Sequence, residues 1–149
     1  MNKSWALALA GATALGAAAS APIKAQPNAT PVKFATALDS AAQIPAPNAV
    51  PARAAAQFSA TLTGGDLKMT LSYANLSSRA ITAMIRFGGV GKAGGALIPL
   101  CGPCRSPITE TANPTAAEIQ SLEAGKTYIV IATTKNPSGE IRGQITVTP

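Results

Sequence analysis

The sequence predicts an all-β fold, an antiparallel β-sandwich carrying one short helix. Three observations lead there. Apolar residues recur at period two in about seven short stretches, the spacing that turns one side of a strand to a core and the other to water. The 13 glycines and 12 prolines fall mostly between those stretches, where turns belong. Only one segment carries helix start and stop signals, so strands do not alternate with long helices as a parallel sheet requires.

A length of 149 residues suits one domain once any processed segment is removed. Residues 1–25 read as a secretory signal peptide. Lys3 is its short positive region and Trp5 to Ala19 its apolar run, while Ala17 to Ala21 and Ala25 offer small residues for cleavage, after Ala21, Ala25 or nearby. Gly11, Thr13, Gly16 and Ser20, followed by Pro22, make the same run a poor membrane anchor, which needs about 20 continuous apolar residues. No stable membrane span is expected after cleavage. Loss of Lys3 and Lys24 with the signal leaves ten basic side chains against six acidic ones and lowers the net charge from +6 to +4. The remaining cations are scattered singly, which excludes the concentrated basic patch that nucleic-acid binding needs.

Residues 26–31 form a linker, and residues 32–149 the sandwich domain. Val32, Phe34, Thr36 and Leu38 open the first strand. Pro45, Pro47 and Pro51 then mark a surface connection, because proline at that density fits neither helix interiors nor central strands. Phe58, Ala60 and Leu62 alternate with polar neighbours, and after the turn pair Gly64-Gly65 so do Leu67, Met69, Leu71 and Tyr73, the pattern of a hairpin. Ile81 to Phe87 continues the alternation, with Ala83 and Ile85 inward and Met84 and Arg86 outward and solvated. A glycine-rich loop, Gly88 to Gly95, leads to Ala96 to Leu100. The helix follows: Thr115 and Glu118 form a capping box, Ile119 and Leu122 share a face, and Gly125 closes it. Tyr128 to Thr134 and Glu140 to Thr148 complete the strands.

Three stretches, in this order, resemble the CHRD domain, a module first recognised in chordin and common in secreted bacterial proteins. They are Thr82 to Gly88 with Gly91 to Leu100, then Gly125 to Ile131, then Pro137-Ser138-Gly139-Glu140-Ile141-Arg142-Gly143-Gln144, with the strand at Phe34 matching the opening. The resemblance covers about Val32 to Val147 and is strongest in Gly139 to Gln144. It implies an Ig-like or superoxide-dismutase-like Greek-key sandwich, exported from the cytoplasm, with no established enzymatic activity. Family members typically carry His-x-His where this chain has Met84 and Arg86, and another histidine where it has Ala132. This chain has no histidine. Two imidazoles at i and i+2 of a strand could chelate a metal, whereas a thioether and a guanidinium cannot hold zinc or copper(II), so no metal and no cofactor are expected.

Cys101-Gly102-Pro103-Cys104 spells the thioredoxin tetrapeptide. Arg105-Ser106-Pro107 places a proline where the helix of that motif should grow, so in an exported protein the expectation is a local structural disulfide between Cys101 and Cys104. In Gly88 to Gly95, Lys92 follows Gly91 but Ala93 stands where a phosphate loop needs Ser or Thr, leaving the reading of a flexible connection. Glu140 and Arg142 lie two apart on one strand face and are expected to form a hydrogen-bonded, partly buried ion pair that fixes strand register. With no histidine and no second convergent acid, no catalytic residue is assigned and the chain is not expected to be an enzyme. The favoured function is an exported module that binds a protein, glycan or envelope component of unknown identity through Gly88 to Gly95 or Cys101 to Pro107. The alternative is a periplasmic thiol-disulfide redox protein using Cys101 and Cys104.

Overall fold

The structure, a computed structural model, describes residues 29–149; the expected signal peptide and the first half of the expected linker, residues 26–28, lie outside the described residues. Among the described residues, nine strands and one helix follow in the order β1 (Val32–Leu38), β2 (Ala55–Thr63), β3 (Asp66–Ala74), β4 (Ala80–Phe87), β5 (Ala96–Cys101), β6 (Ile108–Ala112), α1 (Ala116–Glu123), β7 (Thr127–Thr133), β8 (Ile141–Gln144) and β9 (Thr146–Thr148). They form two antiparallel sheets, a five-stranded one in the order β6-β3-β2-β1-β9 and a four-stranded one in the order β5-β4-β7-β8. Among the described residues no helix is long and apolar enough to cross a membrane.

The period-two sequence pattern becomes the core. Phe34 and Leu38, Phe58, Leu67, Met69 and Leu71 from one sheet meet Ala83, Ile85, Ile98, Leu100, Ile129, Ile131 and Ile141 from the other in a single buried cluster. Burying each large side chain of that kind stabilises by about 1.5–3 kcal/mol. The β2–β3 hairpin closes on Gly64 and Gly65, both at positive φ, with Thr63 paired to Asp66 across them. That two-residue turn matches the twist of the strands and needs glycine or asparagine to form. Pro99 is accommodated because β5 is an edge strand.

The helix has both halves of its capping box, and its end is a Schellman arrangement in which the Lys126 amide donates to Ser121 and the Gly125 amide to Leu122. Three expectations need correction. β6 was not among the expected strands. The expected last strand is two: Ile145 is buried, donates its amide to the Thr127 carbonyl, and carries the chain from the four-stranded sheet to the five-stranded one. Phe87, placed on the core side by alternation, is exposed, because β4 ends there and the chain turns into the glycine loop.

β7 is buried on both faces. Ile129 and Ile131 belong to the core, whereas Tyr128, Val130 and Ala132 are buried outside it, on the outer face of the four-stranded sheet. The cover is the proline-punctuated connection between β1 and β2. It runs over the surface, as its prolines predict, but as a strap pinned to the sheet: the Asn48 amide donates to Asn136 Oδ1 at 2.7 Å, and the Gln43 side chain is buried and donates to the carbonyls of Ile44 and Ser138.

Candidate functional site

The stretch from Asn136 to Ile145 organises this outer face residue by residue. Asn136-Pro137-Ser138-Gly139 is a β-turn closed by the Gly139 amide on the Asn136 carbonyl, with proline in its second position. Gly139 has φ of 127°, and a Cβ there would lie 2.5 Å from Gln43 Nε2 and 2.7 Å from Val130 Cγ2, so the strap can close over the turn only if the residue is glycine. Gly143 answers a close approach from the other side, where a Cβ would lie 2.5 Å from the Ala37 carbonyl oxygen.

Glu140 is fully buried and its partners are neutral donors. Oε1 accepts from the Ser77 amide at 2.6 Å; Oε2 accepts from the Ser77 and Thr133 hydroxyls and from Asn136 Nδ2 at 3.3 Å. Burial pushes this carboxyl upward, but the Ser77 hydroxyl, the Thr133 hydroxyl, the Ser77 amide and the Asn136 amide together outweigh it and hold the group below its ordinary value. Asn136 extends the network to both backbone groups of Asn48. One carboxylate thereby joins the connection before β4, the end of β7 and, through Asn136, the strap.

Arg142 is buried as well, 2% exposed, and it does not pair with Glu140. The expected ion pair is replaced by two separate environments. Arg142 sits on β8 opposite Val130 and turns toward Tyr128, so that its guanidinium carbon lies 3.5 Å from that ring's centroid, while Glu140 turns toward Ser77. A desolvated cation–π contact stabilises by about 2 kcal/mol. Burial lowers the Arg142 pKa from its ordinary value, and the Tyr128 side chain works in the opposite sense. Nη2 donates to the Gly89 carbonyl at 2.9 Å and, at 3.5 Å, to Gln144 Oε1, whereas Nη1 has no acceptor. Taking a guanidinium from water without a counter-ion costs several kcal/mol. The stacking and the single short hydrogen bond offset only part of that.

The Gly88–Gly95 loop is held to the sheet at its two ends, while Val90 to Ala93 between them are exposed. The two N–H groups of Gln144 Nε2 are shared among the carbonyls of Gly88, Gly125 and Thr127, all at 2.8–2.9 Å, Arg86 Nε donates to the Gly94 carbonyl, and the Gly94 amide donates to the Tyr128 hydroxyl. Between this loop and the strap lies a cleft of about 230 Å³ lined by Ala41, Ala42, Ile44, Val90, Arg142 and Gln144. On the other side of Ile44 a second hollow of about 270 Å³ reaches Pro45, Arg86, Tyr128 and Val130. No acidic residue lines either one. Ile44 and Val90, at 40% and 82% exposed, are two large apolar side chains presented to water at the cleft.

Met84, Arg86 and Ala132, where family members were expected to carry histidine, do share this outer face: Met84 pairs with Val130, Arg86 with Tyr128, and Thr82 with Ala132. Met84 and Arg86 are half-buried, not solvated, and Arg86 Nη1 contacts Met84 Sδ at 3.8 Å. A thioether, a guanidinium and a methyl group do not fit a divalent metal, since one soft donor faces a fixed positive charge. Cys101 and Cys104 form a disulfide, Cys104 is buried, and residues 102–107 form no helix. The bridge stands at the end of β5, and the Cys104 amide donates to the Ala80 carbonyl, anchoring the connection to β6.

The sequence therefore singled out Glu140, Arg142 and the Gly139–Gln144 string, and the structure brings Arg142 and Gln144 to the glycine loop while sending Glu140 to a separate network. Sequence reasoning missed Ser77, Tyr128, Asn48, Gln43 and Ile44 as their partners. A family model for the CHRD domain matches residues 34–145. A search of curated proteins and a search of solved structures each gave no match.

Proposed function

The chain belongs to the CHRD domain family, and we propose that it is an exported, non-enzymatic binding module whose ligand-facing surface is the end of the sandwich where the Gly88–Gly95 loop meets the strap over residues 40–48. One observation carries this reading. The loop and the strap are each fastened to the sheet by several hydrogen bonds, and they hold between them an open cleft whose rim presents Ile44 and Val90 to water. A preformed concave surface with apolar contacts and a few fixed polar groups is what ligand sites share. The absence of enzymatic chemistry is supported by the state of Glu140, whose lone pairs are committed to four donors and face no cleft residue. Export is supported by the signal-like N-terminus and the disulfide, which belongs in an oxidising compartment.

The partner is a protein, glycan or envelope component met after export. The test is capture from the native envelope fraction by the wild-type chain and by an Ile44→Ser/Val90→Ser variant, followed by reconstitution with the purified partner. The wild type should bind and the variant should bind at least about tenfold more weakly, as expected when two apolar contacts are lost. Equal binding by the two chains refutes the location. Intact-mass measurement of the exported chain checks the compartment: a mass corresponding to loss of about 21–25 residues is expected, and an unprocessed chain retained in the cytoplasm refutes export.

A further inference from the structure

We propose that the cleft beside Arg142 captures the C-terminal carboxylate of a peptide ending in a small apolar residue, with the Arg142 guanidinium as its cationic partner. This rests on the reading of that end of the sandwich as the binding surface and adds the chemistry of the ligand. Arg142 is 2% exposed, lines the cleft, and keeps Nη1 without an acceptor although Nη2 is engaged. A buried cation is ordinarily paired. No acidic side chain supplies the pair here. Asp39, whose backbone is bridged to that of Arg142, accepts from the Ala42 amide with its own carboxylate. Arg86, in the neighbouring hollow, adds a second positive charge with no acidic residue beside it. The charge that completes the site is negative and comes from outside the chain, and a carboxylate is the planar, two-oxygen acceptor that a guanidinium recognises best.

The walls define the rest of the ligand. Ala41, Ala42, Ile44 and Val90 are apolar, so the carboxylate is carried on an apolar group, and a volume of about 230 Å³ lies below that of sites for drug-sized molecules, so the group is small. Ile44 lines both this cleft and the hollow containing Pro45, Arg86 and Tyr128, so the preceding residue would cross Ile44 to occupy that hollow. A free short acid would fill one hollow only; a chain end spans both. Because Nη1 is itself covered, entry of the carboxylate displaces the side chains over it and exchanges an unpaired buried charge for a paired one.

The test is calorimetric titration of the purified full-length chain with N-acetyl-alanyl-valine, with its C-terminal amide, and with isobutyrate. The expected result is binding of the peptide acid at least about tenfold tighter than the amide, weakening as salt rises, with isobutyrate weaker than the peptide acid. Val90→Asp and Val90→Lys remove the same exposed apolar contact and differ only in charge, so the peptide acid should bind Val90→Asp about threefold or more weakly than Val90→Lys, while the amide should bind the two variants alike. Arg142→Gln should erase the discrimination between acid and amide. Equal binding of acid and amide, or no binding of the acid at about 10 mM, overturns the carboxylate assignment, and isobutyrate binding as tightly as the peptide overturns the chain end. If these fail while Ile44→Ser/Val90→Ser still reduces partner capture, the binding surface stands and only its ligand chemistry falls.

Discussion

Glu140→Gln isolates the buried carboxylate that joins the strap to the sheet. The substitution preserves shape but replaces an acceptor-only group with an amide that has one acceptor oxygen and one donor nitrogen. With its nitrogen in the place of Oε1, the amide would face the Ser77 N–H, which cannot turn away. The better placement puts nitrogen where Oε2 stands. There the Ser77 and Thr133 hydroxyls can rotate to accept, but Asn136 Nδ2 remains a donor facing a donor. Hydrogen bonds to a charged group contribute about 1.5–3 kcal/mol against about 0.5–1.5 for neutral ones. Two or three weakened bonds, less the relief of no longer burying a charge, give a net loss of about 2–3 kcal/mol, and a fall in Tm of about 10 °C for a domain of this size.

The pH dependence separates this cause from a general packing defect. Glu140 is held below its ordinary pKa of 4.5 in the folded state, so its stabilising contribution is fully present above that value and is lost as pH falls through the folded pKa. The wild type should therefore exceed the variant by the full amount at pH 7, and the gap should narrow once pH drops below about 4.5. Every other carboxylate is common to the two proteins and cancels in the difference. Thermal or urea unfolding at a series of pH values measures it. Equal midpoints at pH 7, or a gap that stays constant into the acid range, would refute the reasoning.

Arg142→Leu removes the Tyr128 stack and the donor to the Gly89 carbonyl but also relieves an unpaired buried charge, so it should change stability by no more than about 1 kcal/mol, far less than Glu140→Gln; a loss as large as that of Glu140→Gln in thermal unfolding would sink the distinction. Gly143→Ala places a methyl group 2.5 Å from backbone oxygen of Ala37 and should destabilise by about 1–3 kcal/mol in a urea titration, with full stability of the variant the contrary result. Replacing both Cys101 and Cys104 with serine opens a loop of sequence separation 3 and should cost about 2 kcal/mol. The Cys101–Cys104 bridge is checked by mass with and without reductant; with dithiothreitol as the electron donor that keeps the pair reduced, the chain should speed insulin reduction no more than a control protein, and turnover near that of a thioredoxin would restore the redox reading.

Much of the sandwich was legible because it is encoded locally. Leu67, Met69 and Leu71 with Gly64-Gly65 specify a hairpin within about ten residues, and Thr115 with Glu118 specifies a helix start within four. β6 was illegible for the complementary reason: only Ile108 of Ile108–Ala112 is buried, so an edge strand of Thr109, Glu110 and Thr111 shows no alternation. The break at Ile145 was hidden because period two runs through it; what bends the chain is a bond to Thr127, on another strand. The site divided in the same way. Residues of the Gly139–Gln144 string stood out by their improbability, but Glu140 finds Ser77 at a separation of 63 residues and Asn136 finds Asn48 at 88, and no local spacing reports such register. The assumption that two opposite charges at i and i+2 pair with each other failed because each had a better-placed neighbour on a different strand.

Glu140 and Arg142 present the same physical problem with opposite solutions, and the contrast tells scaffold from site. Both charges are removed from water within three residues of one another. Glu140 recovers its hydration from four donors, lines neither hollow between the strap and the loop, and loses nothing by remaining as it is. Arg142 recovers a ring face and one short bond, retains an Nη1 without an acceptor, and lines a cleft between the strap and the loop. A buried polar group that is fully satisfied stabilises its own fold, and one that is left short keeps interaction energy in reserve for whatever completes it. By that criterion the carboxylate of the signature belongs to the architecture and the guanidinium to recognition, so substitutions at Glu140 should be read out as stability, and substitutions around Arg142 as ligand discrimination.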